Sequence, residues 1–294
     1  MAPMTVSQIL WPRPALADCV YCTIVRDTRG VTLDQDQRFN FFPASPFCSV
    51  TSVFEGDLFG IDHPDQMDRP WTGTKIPNLA LSGAQLKPSV TWSSGEVYMV
   101  VLVFYPDAFS VMTGLDLSQF AGRAVAAEEV LPSSVFKPCR NFFDAVPRAG
   151  IGKGLPAFED QVEILWASMR PAGSRPTRRL KDWSRSLVLR AAFSGPGRST
   201  RQIARRIRSW TGVSERDLRG LGHSEQLYAK LHEAIESGGV DWADLAAASG
   251  FSDQAHMIRR MRQSSGFTPE QLRQRAGNDE AFWGYRLLRQ YFAR

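Results

Sequence analysis

The chain is poor in the residues from which metal and redox centres are built: 294 residues include four histidines and four cysteines. His63 is the only histidine before residue 223, so the amino-terminal part cannot supply the His cluster of a metal-dependent enzyme. Cys19-Val-Tyr-Cys22 has the spacing of a redox or zinc half-site, but Cys48 and Cys139 are isolated and no second pair completes a ligand set. On a strand, residues three apart face opposite sides, so Cys19 and Cys22 would converge only across a turn. Small, buried apolar residues are the plainer reading. No apolar run reaches the roughly 18 residues that a membrane-spanning helix needs. The longest candidate, Val97 to Tyr105, has strand length, and Met1 to Leu10 lacks a basic-then-apolar leader. The expectation is a soluble, cytoplasmic chain with no membrane association, no metal, no cofactor and no catalytic residues.

Lysine is also scarce where positive charge is densest. Residues 171–294 hold 22 Lys/Arg against 12 Asp/Glu, a net of +10, and only Lys181 and Lys230 are lysines. Residues 1–170 hold 13 basic and 18 acidic residues, a net of −5. Such asymmetry points to one half that meets a polyanion. Arginine's planar fork suits bidentate contacts to phosphate and guanine.

A hydrophobic fraction of 43% is enough for ordinary cores, and the length favours two domains. The first 130 or so residues read as short strands: Val20 to Val25, Arg38 to Phe42, Ser49 to Phe54, Asn78 to Leu81 and Val97 to Tyr105. Pro, Gly and Asp separate them, which predicts a small barrel or sandwich. Short helices follow at Pro106 to Met112, Ser133 to Val146 and Pro156 to Arg170. In the last, Phe158, Val162, Leu165 and Trp166 form an apolar stripe that packs on its own domain or on a partner. Pro171-Ala-Gly-Ser-Arg-Pro176 is the expected boundary. The expected units are a β-rich effector-sensing or dimerisation domain, 1–170, and an all-α domain, 171–294. The second has helices near 178–193, 199–210, 214–234, 241–248, 252–264, 268–275 and 279–292. The fold class is therefore α+β.

Within the basic half, Ile203 to Ser214 recurs in degenerate form as Met257 to Thr268, an offset of 54 residues between Gly212 and Gly266. Ile203 and Ile207, or Met257 and Met261, share one face of a helix, and the arginines lie mainly opposite. A glycine ends each copy, and Ser214 or Thr268 opens the next helix with a capping-box partner, Asp217 or Gln271. Two short, basic, capped helices fit a pair of DNA-reading elements.

The stretch from Trp242 to Arg273 resembles the signature of AraC-type (AraC/XylS) transcription regulators. It has a helix ending in alanine, the Gly250-Phe251 turn, a polar start to the next helix, a basic middle and Gly266-Phe-Thr-Pro269. The first copy, Arg198 to Leu221, is a weaker match, with Glu215 where the motif prefers proline. The amino-terminal part is only faintly similar to the family's effector-binding barrel. The resemblance implies a bacterial double helix-turn-helix regulator of promoter DNA, often an activator that contacts RNA polymerase. It leaves open a small-molecule effector and a homodimer.

The residues support the same layout physically. Asp241 can cap a scaffold helix, Ala246 to Ala248 allow close helix approach, Gly250 permits the turn and Phe251 plugs the core. Ser252 is the expected cap of the second recognition helix, from which Asp253, Gln254, Ala255 and His256 face the groove, with Arg259, Arg260 and Arg262 beyond. Gln254 can pair with adenine, His256 can donate to guanine or phosphate, and Arg259 can reach guanine or backbone. In the first copy Ser199 is the cap, Thr200, Arg201, Gln202 and Arg205 face the groove, and Arg206 and Arg208 clamp phosphate. Trp210, Trp242, Phe251, Phe267 and Trp283 are assigned to the core. Recognition helices about 34 Å apart would read adjacent major-groove segments. The competing expectation is a cysteine-based DNA-repair methyl acceptor whose nucleophile is a zinc-bound thiolate at Cys19-x-x-Cys22.

Overall fold

A computed structural model describes residues 4–177, 179–195, 197 and 199–292. The expected helix start at 178, the proline of the break at 194–197 and Arg198 lie outside these residues. Short β-branched and aromatic runs bounded by turns make ten strands among the described residues: β1 (Val6–Leu10), β2 (Val20–Asp27), β3 (Phe39–Phe42), β4 (Cys48–Glu55), β5 (Leu58–Gly60), β6 (Thr74–Lys75), β7 (Leu79–Ser82), β8 (Ser89–Ser93), β9 (Tyr98–Phe104) and β10 (Ala124–Ala126). They form two antiparallel sheets, ordered β1-β2-β9-β4-β7-β10 and β3-β8-β5-β6. Neither sheet closes on itself, so the barrel alternative is corrected to open sheets. The apolar run Tyr98–Phe104 occupies the centre of the larger sheet, where both faces are covered.

Helix α1 (Pro106–Thr113) lies between β9 and β10, and α2 (Ala127–Val130), α3 (Ser133–Ala149) and α4 (Ile151–Met169) follow β10. The stripe on α4 faces the core: Phe158, Val162 and Trp166 are buried, while Ile164 on the far side is 76% exposed. The basic half is helical throughout, as expected: α5 (Leu180–Phe193), α6 (Thr200–Thr211), α7 (Glu215–Glu236), α8 (Trp242–Ala248), α9 (Gln254–Ser265), α10 (Pro269–Arg275) and, after a 3-10 turn at Glu280–Phe282, α11 (Trp283–Phe292).

The hydrophobic core crosses the Pro/Gly-rich stretch at 171–176. Leu81, Leu102 and Phe104 of the sheet share one apolar cluster with Leu187, Ile207 and Val213 of the helical half. Phe39 and Trp92 join Leu227, Met257, Met261 and Phe282 in a second, and Val53, Leu58 and Met99 join Trp283 and Leu287 in a third. Polar bonds reinforce these contacts. The Trp183 indole donates to Asp107 at 3.0 Å, the Trp283 indole to Asn40 at 2.6 Å, and the Ala44 amide to the Ser264 carbonyl at 2.8 Å. Charge composition reports surfaces, whereas the core is decided by which apolar faces meet.

Where α5, α7 and α11 converge, the buried Glu225 carboxylate accepts from the Leu180 amide at 2.9 Å and from the Tyr291 hydroxyl at 3.1 Å. Burial raises its pKa above the ordinary 4.5, against those two bonds. The carboxylate therefore carries no penalty below about 4.5, and a destabilising one develops as pH rises through the raised folded value. Glu225→Gln keeps an acceptor and removes the charge. It is expected to match or exceed wild-type Tm at pH 7 and to flatten the loss of stability that sets in as pH rises from about 4.5 through the raised folded value. A steeper pH dependence in the variant's thermal melts would contradict this.

Candidate nucleic-acid interface

Helices α6 and α9 begin and end alike. Ser199 and Gln202 close a capping box at the start of α6, and Asp253 accepts from the His256 amide at 2.7 Å to start α9. Gly212 and Gly266 end them at φ of 79° and 83°, a conformation that a Cβ would strain. The capping boxes Ser214–Asp217 and Thr268–Gln271 then open α7 and α10. The sequence repeat is thus a repeat of structure.

One cap differs from expectation. Asp253, not Ser252, caps α9; Ser252 Oγ donates to Asp253 Oδ2 at 3.1 Å and lies 3.3 Å from His256 Nδ1. A carboxylate is the stronger acceptor at the positive end of a helix. The His256 amide and then the Ser252 hydroxyl hold the Asp253 carboxyl below its ordinary 3.8. The cap is therefore complete at neutral pH and is lost only as pH falls through the lowered value. Asp253→Ala is expected to speed amide exchange in the first turn of α9 severalfold, with Ser252→Ala near wild type. Equal effects in the two variants would sink the reassignment.

The scaffold preceding α9 follows the expected pattern. Asp241 accepts from the Ala243 and Asp244 amides, Gly250 turns at φ 78°, and half-buried Phe251 packs among α7, α8 and α9 and edge-on to His256. Trp210, Trp242, Phe267 and Trp283 also pack in apolar clusters, as assigned.

The exposed faces of α6 and α9 are matched. Ile207, Met257 and Met261 are buried, and Thr200, Arg201, Arg205 and Arg208 of α6 are exposed. On α9 the exposed set is Gln254, Ala255, His256, Arg259, Arg262 and Gln263. Arg201, Arg205 and Arg208 align on one side at helical spacing, and the repeat carries them onto Ala255, Arg259 and Arg262. Among the described residues, none of these five arginines forms an ion pair. By contrast, Arg219, Arg273 and Arg275 are neutralised by Glu215, Glu270 and Asp279. Uncompensated positive charge therefore gathers on α6 and α9.

Three expected DNA contacts are directed elsewhere. The Gln202 amide oxygen accepts from the Ser199 amide and hydroxyl at 3.3 and 3.0 Å. Arg206 is half-buried and donates to the carbonyls of Ala191 at 2.8 Å and Gly197 at 3.2 Å. Arg260, its counterpart in the repeat, donates to Gln263 and lies over Gly220 of α7, where an added Cβ would fall 2.1 Å from its guanidinium. Sequence reading also missed Lys230, which donates from α7 to the Ala248 carbonyl at the end of α8. The signal for Gly220 was a glycine, with Gly222 beside it, inside a helix pattern; for Lys230 there was none beyond its rarity.

The cysteines have no place in this interface. All four are buried, and Cys19 Sγ lies 3.6 Å from Met112 Sδ. The strand begins only at Val20 and its register shifts before Cys22, which is how both cysteines of the pair reach the interior. Burial pushes the Cys19 and Cys22 thiols well up, and Cys139 to about 12. A nucleophilic thiolate needs the opposite shift. Among the described residues no group of three or more His, Cys, Asp or Glu could hold a metal ion, so nothing here favours a zinc-activated methyl acceptor.

No family model and no curated protein matches this sequence. Solved structures are similar in part. ToxT from Vibrio cholerae is 10% identical, with a TM-score of 0.37 over 82% of this chain and 95% of that one. CuxR, described as an AraC-like transcriptional activator, is also 10% identical, with a TM-score of 0.29 over 97% of this chain and all of that one.

Proposed function

We propose that the protein is a sequence-specific, DNA-binding transcription regulator, not an enzyme, working in the cytoplasm of a bacterial cell. The observation that carries this reading is the matched pair of capped helices presenting unpaired arginines at repeated positions. α7, with 22 residues, joins the two motifs and spans about 33 Å at 1.5 Å per residue. That length matches the roughly 34 Å between successive major-groove faces of a duplex. Ser199, Thr200, Arg201, Arg205 and Arg208 would meet one groove segment and its phosphates. Ser252, Asp253, Gln254, Ala255, His256, Arg259 and Arg262 would meet the next.

In this reading residues 171–294 bind promoter DNA, and residues 1–170, acidic and β-rich, sense a small-molecule effector or self-associate as a homodimer. An activating role would add a contact with RNA polymerase. Because the core is shared between the halves, the test uses the full chain: selection of bound duplexes from random DNA. A non-palindromic consensus covering two adjacent major-groove segments is expected. Recovery of no preferred duplex at physiological ionic strength would end the proposal.

A further inference from the structure

In each helix-turn-helix the scaffold helix ends on carbonyls with no partner of their own in the helix, and a basic side chain crosses to one of them. At the end of α5, Arg206 donates to the Ala191 carbonyl at 2.8 Å and to Gly197 in the following turn at 3.2 Å. At the end of α8, Lys230 donates to the Ala248 carbonyl. A cation there meets both carbonyls that lack an amide partner within the helix and the negative end of the helix dipole; Ala191 also accepts from the Ser194 hydroxyl at 3.4 Å. The two motifs reach this arrangement by different routes. In the first, the recognition helix itself supplies the arginine. In the second, the equivalent Arg260 lies on Gly220 of α7, and α7 supplies the lysine instead.

We propose that Arg206 and Lys230 are positioning residues of the DNA interface: each holds the turn between scaffold and recognition helix, and so sets sequence selectivity without touching the duplex. The inference rests on the DNA-binding reading above for its functional consequence. Base readout requires side chains to meet base edges at hydrogen-bonding distance and angle. Non-specific attraction depends on the number of cations that contact phosphate and tolerates small tilts. Loosening a turn should therefore cost discrimination and spare background affinity. Removing a phosphate contact should cost both.

The test compares wild type, Arg206→Ala, Arg206→Lys, Lys230→Met and, as a phosphate-contact control, Arg208→Ala, all in the full chain. Each is titrated with the selected duplex and a scrambled duplex over a salt series. Arg208→Ala should weaken both and flatten the slope of log affinity against log salt by about 0.9. Arg206→Ala and Lys230→Met should lower the ratio of specific to scrambled affinity about tenfold, comparable to misreading one base pair, and leave the scrambled affinity and the slope unchanged. Arg206→Lys, which reaches one carbonyl and keeps the charge, should fall between and serves if the alanine variant does not fold. A slope change of about one, or an unchanged ratio, overturns the proposal.

Hydrogen exchange without DNA separates this from the parent reading. Arg206→Ala or Arg206→Lys should speed exchange in residues 199–208, Lys230→Met in residues 249–257, and Arg208→Ala in neither. If wild type prefers no duplex, the functional reading falls and exchange alone decides whether these side chains hold the turns. Unchanged exchange then overturns their role.

Discussion

Replacing Glu280 with leucine is expected to destabilise the protein by about 3 kcal/mol, the lower end of the cost of stranding a buried charge. Arg26 on β2 is 1% exposed, and its guanidinium lies 2.6 Å from the Glu280 carboxylate. It also donates to Ser7 at 2.8 Å and sits over the Trp283 ring at 5.1 Å. Those two contacts would remain, which is why the lower end applies. Burial works to raise the Glu280 carboxyl, but Arg26, with Thr5 and Arg286, holds it below its ordinary 4.5. Its contribution is therefore present above that value and lost as pH falls through the lowered folded one. Denaturant unfolding at neutral pH measures the loss. A difference under about 1 kcal/mol would mean that the pair does not hold the carboxy-terminal segment to the sheet.

The second large effect concerns the recognition helices. Arg205→Ala and Arg259→Ala should each weaken binding to the selected duplex by about 1–3 kcal/mol and relax base preference at one position. The two sites belong to different helices, so the double variant should lose about the sum, roughly 2–6 kcal/mol. The relaxed positions should lie about one helical turn of DNA apart. A double variant no weaker than Arg259→Ala would show that α6 leaves the duplex untouched, and the twin-groove assignment would be abandoned.

How much was legible beforehand differs between the halves. In the basic half, 3.6-residue periodicity, glycine stops and Ser/Thr/Asp starts placed every helix within a few residues. These signals are local and depend on backbone hydrogen-bonding needs at helix ends. In the β-rich half β2, β3, β4, β7 and β9 were legible from apolar and aromatic runs, but β1, β5, β6, β8 and β10 were not. Edge strands such as β1 and β10 and the two-residue β6 carry too little apolar pattern and exist because a neighbour pairs with them. The Ser252 assignment missed because either of two adjacent residues could cap, and only backbone geometry chose Asp253.

By itself the sequence determined the paired helices, their caps and turns, and the concentration of arginine on one half, because each depends on residues within a few positions of one another. Only tertiary structure decided that both halves share a core, that Arg26 is buried against Glu280, and that of two adjacent arginines Arg205 faces outward while Arg206 caps a neighbouring helix. Helical periodicity separates faces by about 100° per residue, and which face meets protein is set by elements far away in the chain.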